Sequence, residues 1–183
     1  MFWWLYYTTA DFDSNYENKP LVIWIQGGPG VSGAGFGNFE EIGPLNSKLQ
    51  PRNHTWVSEN QIFFFTAQIF VRKQFYFSQI KDYNVLFIDN PVGTGFSYVE
   101  SPEFYVKNNR QISNDLMKCI REFFEKFPKF SKTPTFILAE SYGGKMTVEF
   151  ANLWYRVRVF FVKIFSIFFG IFMSFLYLSA GTS

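Results

Sequence analysis

The feature that most constrains this chain is the stretch FILAESYGGKM, residues 136–146, where a short apolar run breaks into helix at a serine. TFILA, following Pro134, is compact, apolar and β-leaning, which predicts a buried strand. E-S-Y-G-G-K comes next, and then MTVEFANLWYR with helical periodicity. A strand, a sharp turn carrying Ser141 and a helix together form the setting of a nucleophile elbow. Gly143 removes a side chain where the departing helix must pass close to the strand, and Ala139 is small enough for the position that is usually glycine. The pattern A-x-S-x-G is only modestly selective, and an ordinary serine in a strand–helix turn fits it equally well.

Two further blocks share this design. PLVIWI, residues 20–25, is a continuous apolar run suited to a strand buried on both faces, and it ends in QGGPGVSGAGFG, read as a loop. A run so rich in glycine implies that backbone approaches something closely. If Ser141 attacks a carbonyl, the developing oxyanion needs two N–H donors, one after the nucleophile and one from a glycine-rich loop after an early strand. Tyr142 and Gly28 occupy those positions. Gly28, Gly30 and Gly33 also spell the dinucleotide spacing G-x-G-x-x-G. Against that reading, Pro29 removes an N–H from the loop, and no second strand ends in an acidic residue at the required distance. The third block is DYNVLFIDNPVGTGFSYVE, residues 82–100, a strand with a turn-rich exit. QISNDLMKCIREFFEKF, with apolar residues at helical spacing and Pro128 as its stop, lies between it and the elbow. Alternating strands and helices predict an α/β sheet with three loops converging beyond its carboxyl edge.

WIQGGPGVSGAGFGNFEEIGPL, NVLFIDNPVGTGFSY and ILAESYGGKM, in this order, resemble the serine carboxypeptidase family on the α/β-hydrolase fold. The resemblance covers most of residues 1–60 and 82–155. It implies Ser141 as nucleophile, the backbone N–H groups of Gly28 and Tyr142 as the oxyanion hole, and no cofactor or metal. It further implies that Gln26, Gly27, Glu41 and Glu140 hold the free C-terminal carboxylate of a peptide or protein. Many members have Asn where this chain has Gln26. The carboxyl pair is chemically sensible: two adjacent carboxyls cannot both ionise cheaply, so one proton is shared and can be donated to a substrate carboxylate. Such binding favours acidic pH. Without the resemblance, Glu41 in GNFEEIG reads as a surface residue.

The partners of Ser141 are harder to find. In an α/β-hydrolase the chain order is Ser, then Asp or Glu, then His. Residues 142–183 contain no Asp and no His, and their sole carboxylate is Glu149, on the elbow helix. The one histidine, His54, precedes the serine and lies in Asn53-His54-Thr55, which reads as a glycosylation acceptor at Asn53. Asp89 closes a strand, but the resemblance does not give it the orienting role. A serine without its base loses several orders of magnitude in rate, so the chain as it stands is expected to be a very poor enzyme.

Composition points to a cause. Of 26 Phe, six lie in residues 61–80 and seven in residues 159–179, stretches without capping residues or carboxylates. The chain therefore divides into a carboxypeptidase-like domain, 1–155, interrupted by an atypical insertion at 61–81, and a hydrophobic tail, 156–183. The leading explanation for insertion and tail is read-through of non-coding sequence, leaving a truncated domain with an incomplete central sheet. The literal alternative is a membrane span. Ile164 to Ala180 is 17 uncharged residues, at the lower bound for crossing a bilayer, so membrane attachment through 159–180 stays open. FWWLYY directly after Met1 lacks the plan of a signal peptide, although the resemblance implies a secreted or lysosomal, vacuolar protein. A net charge of +2 without a basic cluster gives no reason to expect nucleic acid. Cys119 falls on the apolar face of its helix, the place of a buried, inert thiol.

Overall fold

The computed structural model describes residues 1–8, 16–52 and 83–157. The insertion at 61–81, Asn53, His54 and the tail beyond Val157 lie outside them. Four strands form one mixed sheet in the order β1-β3-β2-β4. They are β1 (Trp3–Tyr6), β2 (Leu21–Ile25), β3 (Asn84–Ile88) and β4 (Thr135–Ala139). β2 runs parallel to both β3 and β4, while β1 pairs antiparallel with β3. All five side chains of β2 and of β3 are buried, as continuous apolar runs in parallel strands require. Successive strands lie on opposite sides of β2, so the strand order reverses there. Such a switch point opens a crevice at the carboxyl edge.

Register does the positioning. Ile25 pairs with Ile88 on one side and with Ala139 on the other. The next residues along each chain segment, Gln26, Asp89 and Glu140, therefore reach the carboxyl edge at one level. Below that edge, alternate side chains go to opposite faces. Leu21, Ile23, Ile25, Leu86, Ile88 and Ile137 pack against two helices, α1 (Asn109–Lys126) and α2 (Tyr142–Val157). Val22, Trp24, Val85, Phe87 and Leu138 pack with Ala34 and Ile42 on the other face.

α1 starts where Asn108 accepts a hydrogen bond from the Gln111 N–H at 3.0 Å, satisfying a donor that the first helical turn leaves free. Its buried stripe runs from Ile112 through Leu116 and Ile120 to Phe123 and Phe124. Phe123 is the hub, with ring centroids 5.4 Å from Trp3, 5.5 Å from Phe124 and 5.7 Å from Phe130. Phe124 meets Trp154 of α2 at 6.0 Å. Cys119 is buried as expected, and burial pushes its thiol up to about 11.

The glycine-rich run departs from expectation. It is a loop only as far as Ser32; Gly33–Ile42 then winds as a π-helical segment. Gly37 N–H donates to the Ser32 carbonyl at 3.2 Å and Gly43 N–H to the Asn38 carbonyl at 2.9 Å, both spanning five residues. Its glycines hide the helical signal in the sequence, and their lack of a Cβ permits the close packing. A methyl on Gly33 would collide with the Ile88 carbonyl oxygen.

Truncating the aromatic hub should be costly. Phe123→Ala is expected to destabilise the fold by about 3–5 kcal/mol, read as a lowered urea midpoint of the chain. A loss under about 1 kcal/mol would show that the contact between sheet and α1 is not a packed core.

Candidate active site

Ser141 sits at the break between β4 and α2 with φ of 52°, a left-handed conformation that costs a non-glycine residue energy and holds its side chain out of both elements. The residue is exposed. Gly143 N–H donates to the Glu140 carbonyl at 2.8 Å and Gly144 N–H to that of Ser141 at 3.1 Å, closing the turn. A Cβ on Gly143 would strike the Ile25 carbonyl oxygen, so glycine is what lets α2 leave across the end of β2.

The glycine-rich loop lies directly on this turn. A Cβ placed on Gly27 would stand 2.8 Å from the Glu140 carbonyl oxygen, 2.9 Å from Ser141 Cβ and 3.3 Å from the Tyr142 nitrogen. Gly28 follows with φ of +112°, a value that favours glycine. Neither Gly28 N–H nor Tyr142 N–H donates to an acceptor among the described residues. The Tyr142 hydroxyl is tied to Asn109 Oδ1 at 3.1 Å, anchoring the elbow to the start of α1.

Beside the serine is a buried polar relay. Trp24 Nε1 donates to Gln26 Oε1 at 2.6 Å, and Gln26 Nε2 donates to Glu140 Oε2 at 2.6 Å. Both ends of the Gln26 amide are therefore committed, and its orientation is fixed. Gly37 makes room for the pair: a Cβ there would lie 2.5 Å from Gln26 Oε1 and 2.6 Å from Trp24 Nε1. Glu41, from the last turn of the π-helical segment, completes the cluster. Burial, reinforced by the neighbouring Glu140 charge, pushes the Glu41 carboxyl up to about 7; the Gln26 amide and the Arg52 cation oppose the rise. Glu41 Oε2 and Arg52 Nη1 are both buried without a hydrogen-bond partner.

The structure thus brings together Gln26, Gly27, Gly28, Glu41, Glu140, Ser141 and Tyr142. Glu41 is a cluster residue and not the free surface carboxylate that its local sequence suggests. Glu149 is exposed, more than two turns along α2 from the serine. Trp24 was not singled out by sequence, because an indole in an all-apolar strand looks like core. Arg52 was missed too, since its polar neighbours give a surface signature.

The family described as serine carboxypeptidase matches residues 1–69 and 74–158. The chain belongs to the serine carboxypeptidase family. It is 44% identical over 146 residues to a retinoid-inducible serine carboxypeptidase of Rattus norvegicus, covering 80% of this chain and 27% of that one. Against a vitellogenic carboxypeptidase of Aedes aegypti the identity is 36%, with the same coverage of 80% and 27%. Among solved structures, a prohormone-processing carboxypeptidase from Saccharomyces cerevisiae superposes with a TM-score of 0.65 at 24% identity, over 91% of this chain and 33% of that one, which establishes the fold as that of these α/β hydrolases. The chain spans about a quarter to a third of the length of these proteins.

The carboxyl pair makes a pH signature. The folded value for Glu41 lies above its ordinary value of 4.5, so the folded state holds the proton more tightly than the unfolded state. The stability this contributes is fully present below pH 4.5 and is lost as pH rises through about 7. Urea midpoints should fall across that window, and Glu41→Gln should flatten the fall. Glu140→Gln should move the Glu41 titration, followed by carboxyl carbon NMR, downward but not to its ordinary value, because burial remains. An unchanged Glu41 midpoint would separate the two carboxyls.

Proposed function

We propose that the chain carries the nucleophile half of a serine-type carboxypeptidase, a hydrolase that removes residues from the C-terminus of peptides or proteins. Ser141 Oγ attacks the carbonyl of the last peptide bond, and its proton passes through a general base to the departing nitrogen. The carbonyl oxygen becomes an oxyanion facing the N–H groups of Gly28 and Tyr142. Collapse breaks the C–N bond, releases the protonated amine of the terminal residue and leaves an ester on Ser141, which water then hydrolyses. Gln26, Gly27, Glu41 and Glu140 hold the substrate's free carboxylate, with the proton retained by the glutamate pair making it a donor and not a repellent. The carrying observation is the contact between the two halves of this site: Glu140 immediately precedes the strained Ser141 and is hydrogen-bonded to Gln26 at 2.6 Å. A carboxylate-binding cluster adjoining the nucleophile favours a carboxypeptidase over an esterase or acyltransferase on the same fold.

The base is the open element. Residues 142–183 contain no Asp and no His, so this chain gives Ser141 no imidazole in the family's order. In the second reading the chain binds peptide C-termini without turning them over, attached to a membrane through 159–180 or free. Among the described residues no helix is long and apolar enough to cross a membrane, and the tail itself lies outside them. A secretory or lysosomal, vacuolar lumen fits the family resemblance and the acceptor Asn53, also outside the described residues; no nucleic-acid partner is proposed.

Two measurements test the site. A peptide with a free C-terminus should bind more tightly than its C-terminal amide at pH 5, with the preference fading above pH 7. Equal binding of both peptides at pH 5 would sink the carboxylate assignment. A fluorophosphonate should label Ser141 and no residue of Ser141→Ala, at a rate on the order of a thousandfold or more below a complete serine hydrolase. Labelling at full hydrolase rates would show that a base is present after all.

A further inference from the structure

Asp89 is unused by this mechanism, yet it is among the most densely hydrogen-bonded side chains in the described residues. It is fully buried at the end of β3. Its Oδ1 accepts from Ser32 Oγ at 2.5 Å and from the Ala34 N–H at 2.9 Å, and its Oδ2 accepts from the Phe96 N–H at 2.9 Å. Ser32 Oγ in turn accepts from the Gly35 N–H at 2.7 Å, capping the π-helical segment. The Asp89 backbone is held as well: its carbonyl accepts from Ser97 Oγ at 2.7 Å, and its N–H donates to the Phe2 carbonyl at 3.1 Å. Phe2 N–H closes the circuit by donating to Ser97 Oγ at 2.8 Å. A Cβ on Gly95 would run into both Asp89 and Ser32, so the loop after β3 packs tightly over the carboxylate.

These bonds have a direction. The loop that bears Gly27 and Gly28 leaves β2 at Ile25, and Gln26 pins its near end to Glu140. Its far end is fixed by the Asp89 side chain, through Ser32 and Ala34. Between those anchors, among the described residues, the loop is spanned by one backbone hydrogen bond, Val31 N–H to the Gly27 carbonyl at 3.3 Å. The loop has little internal structure of its own, so its anchors set where the Gly28 N–H points.

We propose that Asp89 is a positioning residue of the active site, whose carboxylate staples the loop after β2 to the loop after β3 and thereby aims the Gly28 N–H at the oxyanion position. It touches neither substrate nor Ser141. Asparagine at 89 keeps the shape but presents an NH2 group to at least one of three donors, so it breaks the staple without opening a cavity. Ser32→Ala removes one of the three bonds and is the milder variant. The inference rests on the reading of Gly28 and Ser141 given above, and its test keeps the two apart.

Two readouts on the full chain decide it. In amide hydrogen exchange followed by mass spectrometry, Asp89→Asn should raise exchange across residues 27–35 and 90–97 by about tenfold or more, with α2 unchanged; Ser32→Ala should raise only the first segment. In fluorophosphonate labelling, Asp89→Asn should lower the rate constant of Ser141 modification at saturating reagent by about tenfold or more while leaving the half-saturating concentration alone. Partial unfolding would lower the labelled fraction, not that rate constant. Unchanged loop exchange in both variants overturns the staple. Loosened loops with an unchanged rate constant overturn the aiming of Gly28. Absence of labelling in the unmodified chain overturns the Ser141 reading, and with it the aiming role given to Asp89, while the exchange result still judges the staple.

Discussion

Everything at the site depends on the register of β2 between two parallel neighbours. Because Ile25 is level with both Ile88 and Ala139, three polar residues emerge side by side where the sheet ends. Each then does different work. Gln26 relays between Trp24 and Glu140, Asp89 gathers two loops, and Glu140 introduces the strained serine. A slip of one residue in either pairing would send these side chains to opposite faces and dismantle all three roles at once. The apolar core below the edge is what forbids the slip, since it would also move five buried side chains of β2 into the wrong layer.

Close approach of backbone is the second condition, and it explains where side chains are missing. Gly143 lets α2 cross the end of β2, Gly27 lets the loop rest on Ser141, and Gly37 lets the π-helical segment reach the Trp24–Gln26 pair. At each place a methyl would meet backbone or a committed polar atom. The strain at Ser141 is tolerated because the elements on both sides are fixed: β4 by pairing with β2, and α2 by the packing of Phe150 and Trp154 in the core.

Much of this was legible in the sequence, because apolar runs and glycines report directly on burial and turns. TFILA forms β4 over the residues expected, and the elbow, the helix after the third block and the convergence of three loops follow from pattern alone. Three things were not legible. The π-helical segment is hidden because Gly33, Gly35 and Gly37 suppress helical periodicity, while tertiary bonds from Asp89 and the cap at Ser32 impose the winding. Glu41 looks like surface because its burial comes from residues distant in sequence. Asp89 looks like a strand terminus, since nothing local reveals that its partners are Ser32, Ala34 and Phe96.

Two carboxyls at the same edge, Asp89 fully buried and Glu41 half-buried, show how donors, and not burial alone, determine what a carboxyl can do. Asp89 accepts three hydrogen bonds from its own protein, two on Oδ1 and one on Oδ2, and is fully buried. Glu41 has an oxygen with no partner, a second carboxyl beside it and a cation near enough to temper its charge. An acceptor held by three donors of its own protein makes a rigid joint. A carboxyl left short of donors holds a proton into the neutral range and retains an unmet hydrogen bond. The fold therefore separates a rigid joint from a proton-holding carboxyl by how many donors it places around each group.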